Sequence, residues 1–155
     1  MKGEYSEHEK WLRQAFVLAR QAREAGNHPF GALLVRQGVV VATAVNSVNT
    51  GQDVTRHAEL NLISQAWQQL GPDVLAECTL YTSTEPCPMC SGAIFWAGVP
   101  RVVFGCSVEG LAEMTGGGSL AVPCRDIFSR GARQTAVIGP LLEEEGKAVH
   151  EGFWR

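Results

Sequence analysis

Residues 78–106 read CTLYTSTEPCPMCSGAIFWAGVPRVVFGC. The stretch opens on 78–82 (CTLYT) and closes on 101–106 (RVVFGC), two β-branched and aromatic runs that read as strands. Between them, Pro88 to Ala97 starts with a proline and continues in small and apolar residues, which predicts a helix with Pro in its first turn. Strands that alternate with helices pair in parallel.

Working outward, 31–36 (GALLVR) and 39–45 (VVVATAV) flank Gln37-Gly38, a hairpin signal, so this pair is antiparallel. Upstream, Ser6-x-x-Glu9 reads as a capping box, and Trp11, Ala15, Leu18, Ala19 and Ala22 follow the helical period. A helix over 6–25 follows, ended by Gly26-Asn27. Residues 46–53 carry turn chemistry, and 57–70 suit a largely buried helix stopped by Gly71-Pro72. Downstream come a Gly-rich loop over 109–119, a weak helical run at 124–130, a strand at 134–138 and a final helix at 141–153. The order αββαβαβαβα predicts an α/β fold, a three-layer α/β/α sandwich around a mixed five-stranded sheet, in one domain over 1–155.

Composition narrows the partners. The chain has 155 residues, 45% hydrophobic and 19% charged, which is globular. A net charge of −3 and a pI near 5.8 argue against bulk electrostatic binding of nucleic acid or anionic membrane, leaving room only for a local basic patch. No apolar run approaches the roughly 18 residues of a membrane span. The first ten residues, MKGEYSEHEK, lack the apolar core of a secretory signal, so a soluble, cytoplasmic protein is expected. Five cysteines without a signal make a poor disulfide framework. Cys78, Cys106 and Cys124 read as small core residues.

Cys87 and Cys90 are different. They lie three apart at a helix start, where one turn puts both sulfurs on one side and the helix N-terminus favours thiolates. His57 opens the preceding helix, and strand-to-helix turns collect at one sheet edge. One imidazole and two thiolates form a three-ligand zinc site with the fourth position left for water. Glu59 lies about 200° round an ideal helix from His57, yet the looser geometry of a helix start lets both face the site. A carboxylate beside a metal-activated water can move its proton. A structural zinc knuckle or a redox pair would also use two such cysteines. The first wants a fourth ligand, and His8, His28 and His150 fall in no metal spacing; the second needs neither His57 nor Glu59.

His57-Ala58-Glu59 followed by Pro86-Cys87-Pro88-Met89-Cys90 resembles the cytidine-deaminase superfamily of zinc deaminases, whose signature is H-x-E with P-C-x-x-C. His28 to Val35 (HPFGALLV), Asn46, Thr82 to Cys90 (TSTEPCPMC) and Arg101 to Gly105 (RVVFG) are similar to the family as well, and the likeness runs over roughly residues 10–140. The resemblance implies that His57, Cys87 and Cys90 bind zinc and that Glu59 shuttles a proton as an amine is replaced by a carbonyl. It implies that Asn46 contacts the base through its amide, that Ala58 N–H and the backbone of Thr84 and Glu85 meet ring polar atoms, and that Phe30 and Trp96 shape an aromatic pocket. Read without the resemblance, Asn46 is a turn residue, Phe30 and Trp96 are core, His28 is a surface or turn residue, and Glu143-Glu144-Glu145 is a solvated helix face. Glu113 is an ordinary solvated carboxylate, or else the one acid able to reach a base from the Gly-rich loop.

Within the superfamily, Ile94-Phe95-Trp96-Ala97 resembles the I-Y-W-A run of bacterial guanine deaminases. Residues 125–155 balance five basic side chains (Arg125, Arg130, Arg133, Lys147, Arg155) against five acidic ones, where a tRNA deaminase carries a basic tail. The ending Gly152-Phe153-Trp154-Arg155 is short and aromatic enough to close a small pocket, its own or a partner's. Arg56 stands where the tRNA enzymes have Ala. One feature departs: Met114 to Gly118 (MTGGG) lacks the aspartate that guanine deaminases carry in this loop, which opens the choice to other purines, aminopyrimidines or aminotriazines. The expectation is a zinc-dependent hydrolytic deaminase of a free nucleobase, a homodimer with no nucleic-acid or membrane partner. The alternatives are a tRNA adenosine-to-inosine deaminase and a non-catalytic zinc-binding relative.

Overall fold

The computed structural model describes residue 3 and residues 5–154. Met1, Lys2, Glu4 and Arg155 lie outside the described residues, and with them the part of the tail argument that rested on Arg155.

The sheet contains β1 (Gly31–Arg36), β2 (Val39–Val45), β3 (Thr79–Thr84), β4 (Arg101–Cys106) and β5 (Ala136–Ile138) in the order β2-β1-β3-β4-β5. β1 pairs antiparallel with β2 and with β3, while β3, β4 and β5 are parallel. The mixed five-stranded sheet is therefore as the sequence predicts. Gln37 and Gly38 both take positive φ (51° and 75°), the backbone a two-residue hairpin demands.

Strand alternation divides the core. Ala32, Leu34, Leu80, Val102 and Phe104 face α3 (Ala58–Leu70), α5 (Pro88–Ala97) and α7 (Cys124–Phe128). Leu33, Val35, Tyr81 and Val103 face α1 (Ser6–Glu24) and the segment that follows α8 (Glu143–Ala148). α1 lies unusually close to β1: a methyl on Gly31 would fall 2.5 Å from Leu18 Cβ and 2.6 Å from Ala19 N.

Several boundaries differ from expectation. Ser6 is the first helical residue and not the cap; Tyr5 precedes the helix and its carbonyl accepts from Glu9 N–H (2.8 Å). A short helix, α2 (Val48–Gly51), stands in the stretch expected to be turns, and α4 (Pro72–Leu75) follows the Gly71 stop. The predicted loop at 109–119 contains α6 (Val108–Thr115). Its start is capped twice: Ser107 Oγ accepts from Gly110 N–H (3.0 Å) and Glu85 Oε1 from Val108 N–H (3.0 Å). The run of consecutive glycines begins only at Gly116, where φ is 65° and the helix ends. The final helix spans 143–148 rather than 141–153, because Leu142 takes a left-handed conformation and the chain turns again after Ala148.

Candidate metal centre

Two helix starts meet at the edge of the sheet. His57 immediately precedes α3 and Cys87 immediately precedes α5, both with extended backbone (ψ 155° and 171°). Neither side chain is therefore constrained by the regular helix that follows it. His57 Nδ1 lies 3.6 Å from Cys87 Sγ and 3.6 Å from Cys90 Sγ, and the three donor atoms lie within 4.8 Å of one another. Among the described residues this is the one cluster of three such groups placed to hold a metal ion. One nitrogen and two sulfurs suit zinc, and three protein ligands keep a position open. Cys87 is drawn down to about 4, first by the Cys90 thiol hydrogen-bonding to it and then by His57. Cys90 is pushed up because it donates to that thiolate and because it is buried. His57 is raised, first by its hydrogen bond with Cys87. The arrangement favours the thiolate form at Cys87, the form that binds a metal ion.

Glu59 is 5% exposed and faces the same cavity as His57 and Cys87. The 200° offset does not separate them, because His57 stands outside the helix. Burial, followed by the Cys87 thiolate, raises the Glu59 carboxyl to about 7. The Thr82 hydroxyl lies 3.0 Å from Glu59 Oε2 and also 3.1 Å from the Thr84 carbonyl.

The cavity holds about 420 Å³. Asn46, fully buried, lines it; its Oδ1 accepts from Val48 N–H (3.0 Å), which leaves the amide hydrogens for the cavity. Phe30 also lines it. Ala58 and Thr84 are buried beside the centre, and Thr84 Oγ1 pairs with His150 Nε2 (2.9 Å). Glu85 lines the cavity, and its carboxylate accepts from Val108 N–H (3.0 Å) and Cys124 N–H (2.8 Å), which ties down the two segments beside the site.

Neither Ala58 nor Thr84 lines the cavity itself, and two further expected residues point away from it. Trp96 is 81% exposed and does not line the cavity, since it falls on the outer face of α5. Glu113 points outward and pairs with Lys147 (3.7 Å); the helical spacing of α6 turns Val108, Leu111 and Thr115 to the cavity instead. Arg56 pairs with Asp53 (3.2 Å) at the surface. The C-terminal aromatic closes its own chain: Trp154 lines the cavity, with its ring centroid 6.2 Å from that of Phe30 and 5.5 Å from that of His28. His28, read as a surface or turn residue, lines the cavity too. Thr82 and His150 were not anticipated as functional. Thr82 sits on a strand whose alternation is visible in sequence, but nothing local shows that its partner is Glu59.

Residues 5–106 match the family model described as the cytidine and deoxycytidylate deaminase zinc-binding region. The chain is 43% identical over 152 residues to a probable cytosine deaminase of Schizosaccharomyces pombe, covering 93% of this chain and 90% of that protein. It is 48% identical over 98 residues to the guanine deaminase of Bacillus subtilis (63% and 62% covered) and 36% identical over 147 residues to that organism's tRNA-specific adenosine deaminase (95% and 88%). Among solved structures, one from a study of tRNA:A34 deaminases superposes with a TM-score of 0.75 at 33% identity, over 91% of this chain and 99% of that one. A guanine deaminase from Nitrosomonas europaea gives 0.77 at 26% identity, over 96% and 83%. With its zinc ligands, its sheet and two thirds of its length in agreement, the chain belongs to the cytidine and deoxycytidylate deaminase family of zinc-dependent deaminases.

Proposed function

We propose that the protein hydrolytically deaminates a free heterocyclic nucleobase, a purine or an aminopyrimidine, releasing ammonia. The observation that carries this reading is the lining of the cavity. No Lys or Arg stands among its described residues, and Trp154 covers it with an aromatic wall. A polynucleotide or nucleotide would bring phosphates, which take their affinity from cations. A planar base needs only aromatic faces and a few polar atoms. The full-length likeness to a probable cytosine deaminase supports a pyrimidine, and that to guanine deaminases a purine.

In this mechanism His57, Cys87 and Cys90 would hold zinc, and the ion would supply a Lewis acid that lowers the pKa of water. Asn46 donates its amide hydrogens to a ring carbonyl or ring nitrogen. Glu59 takes one proton from water as the oxygen adds to the amino-bearing carbon and passes it to the ring nitrogen; it then takes the remaining proton from the added hydroxyl, as the carbonyl forms, and passes it to the amine as the C–N bond breaks. Water and the base become the carbonyl product and ammonia. A carboxyl near 7 can move protons both ways at neutral pH.

A homodimer belongs to the same reading. Trp96, exposed on α5, is an apolar side chain suited to a second copy of this chain. Sedimentation at micromolar concentration, with Trp96→Arg beside the parent, tests it: twice the chain mass is expected for the parent, and a parent that stays monomeric contradicts it. The free thiols of the centre suit a reducing compartment such as the cytoplasm, and no helix among the described residues is long and apolar enough to cross a membrane.

A panel of free cytosine, guanine, adenine and isoguanine, their nucleosides, and an anticodon stem-loop RNA tests the substrate class through ammonia release. Turnover confined to free bases is the expected result. Turnover confined to the RNA would overturn it in favour of tRNA adenosine deamination, for which the 36% identity to a tRNA-specific enzyme provides the ground.

A further inference from the structure

We propose that His150 is a positioning residue: held between Thr84 and Trp154, its imidazole latches the C-terminal segment so that Trp154 stays in place as a wall of the pocket. The inference rests on the reading of that cavity as the place of the base.

The hydrogen bonds fix the state of the ring. Trp154 Nε1–H can only donate, and it lies 3.0 Å from His150 Nδ1. Nδ1 must therefore accept, which places the ring proton on Nε2. Nε2–H then donates to Thr84 Oγ1 at 2.9 Å. The imidazole is 1% exposed, so both nitrogens need protein partners, and both have one. Phe30 meets its face edge-on, with centroids 5.2 Å apart.

His150 is not among the residues lining the cavity, whereas Phe30 and Trp154 are. It acts through them. Among the described residues, the remaining ties near the chain end are Phe153 N–H to the His150 carbonyl (3.0 Å), Arg23 to the Val149 carbonyl (3.1 Å), Arg23 over the Phe153 ring (5.4 Å), and ring contacts of Trp154 with Phe153 (4.9 Å), His28 (5.5 Å) and Phe30 (6.2 Å). Only the ring contacts reach the indole, and they are not directional enough to hold its N–H edge in one place. The other end of the latch is fastened well. Thr84 ends β3 three residues before Cys87, and its carbonyl lies 3.1 Å from the Thr82 hydroxyl that contacts Glu59. The closed wall and the catalytic carboxylate thus share one strand end as their anchor.

The test uses zinc-loaded protein with His150→Phe, which keeps an aromatic ring and loses both bonds, and Trp154→Phe, which loses the indole donor together with part of the ring face. Backbone hydrogen exchange over 149–154 is measured without substrate. Exchange at 152–154 should quicken about tenfold in either variant, the worth of one lost hydrogen bond, with zinc content unchanged. On the free base that the parent turns over best, KM should rise by about the same factor while kcat moves less than about threefold. The double variant should be little worse than either single one, because both break one link. His150→Asn, whose amide sits where Nδ1 was, should recover part of the KM effect. Unchanged exchange at 152–154 in both single variants would overturn the proposal, as would purely additive effects in the double variant. Should His150→Phe fail to fold, Trp154→Phe decides by the same exchange measurement. Should the parent turn over no free base, the reading of the substrate fails, while exchange in the absence of substrate still decides the latch.

Discussion

The Thr82 hydroxyl and the Glu59 carboxylate meet at 3.0 Å across twenty-three residues of sequence, inside the core. The same hydroxyl lies 3.1 Å from the Thr84 carbonyl, so its single hydrogen has two acceptors. When Glu59 is protonated it can donate to Thr82, which then donates to Thr84; when Glu59 is ionised, Thr82 can turn its hydrogen to the carboxylate. The threonine can thus pair with Glu59 in either protonation state, as the proposed proton transfer requires.

Thr82→Val keeps the shape and removes this partner. It should lower kcat about three- to tenfold, with KM and zinc content little changed, as befits one buried hydrogen bond. Steady-state kinetics and metal analysis check it; a change confined to KM would contradict the role.

Metal removal should expose a reactive thiol. Cys87 is drawn to about 4 by Cys90 and His57, while burial holds Cys106 up at about 12 and keeps Cys124 raised. After treatment with a chelator, iodoacetamide should label Cys87 quickly at pH 6, with the buried thiols slow. Zinc should protect Cys87. Peptide mass mapping reads this directly, and equal labelling with and without zinc would count against the assignment of the ligands.

His150 gives a pH dependence of stability. Burial, and then Arg23, lower it from the usual histidine value to about 4. The unfolded chain therefore binds more protons than the folded one between about pH 4 and 6.5, and this contribution to stability is present above that window and lost as pH falls through it. Its full size is of order 3 kcal/mol. Glu59, raised to about 7, opposes it over an overlapping range, so the comparison must be a difference. Denaturant unfolding of the parent and of His150→Phe at pH 7 and pH 5 should show the parent losing more stability on acidification. Equal losses would mean that His150 is not held neutral.

Gly31→Ala tests the seat of α1. The added methyl would lie 2.5 Å from Leu18 Cβ and 2.6 Å from backbone Ala19 N, which the helix cannot relieve without moving. A loss of about 1–3 kcal/mol is expected in urea unfolding, and an unchanged midpoint would contradict the packing.

Much of this was legible in sequence because local rules and the fold agree. Gln37-Gly38 announces the hairpin, Pro88 opens α5, and the spacing of His57, Cys87 and Cys90 foreshadows the cluster placed to hold a metal ion. What escaped depends on long-range partners. α6 was hidden because its caps come from Glu85, twenty-three residues upstream, as much as from Ser107 beside it. Ser6 looked like a cap, but the backbone enters the helix one residue earlier. Trp96 and Glu113 lie on helices whose inward faces are set by tertiary packing, and both turned outward. Thr82 and His150 owe their places to contacts across 23 and 66 residues, which no local pattern records.

In the proposed reaction Glu59 moves the proton at a zinc centre held by His57, Cys87 and Cys90. Ammonia release by zinc-loaded parent and Glu59→Gln, on the best free base, with bound zinc measured in both, tests it most directly. Equal zinc content and a loss of turnover of at least about a hundredfold are expected in the variant. Full activity in Glu59→Gln with zinc in place would contradict it.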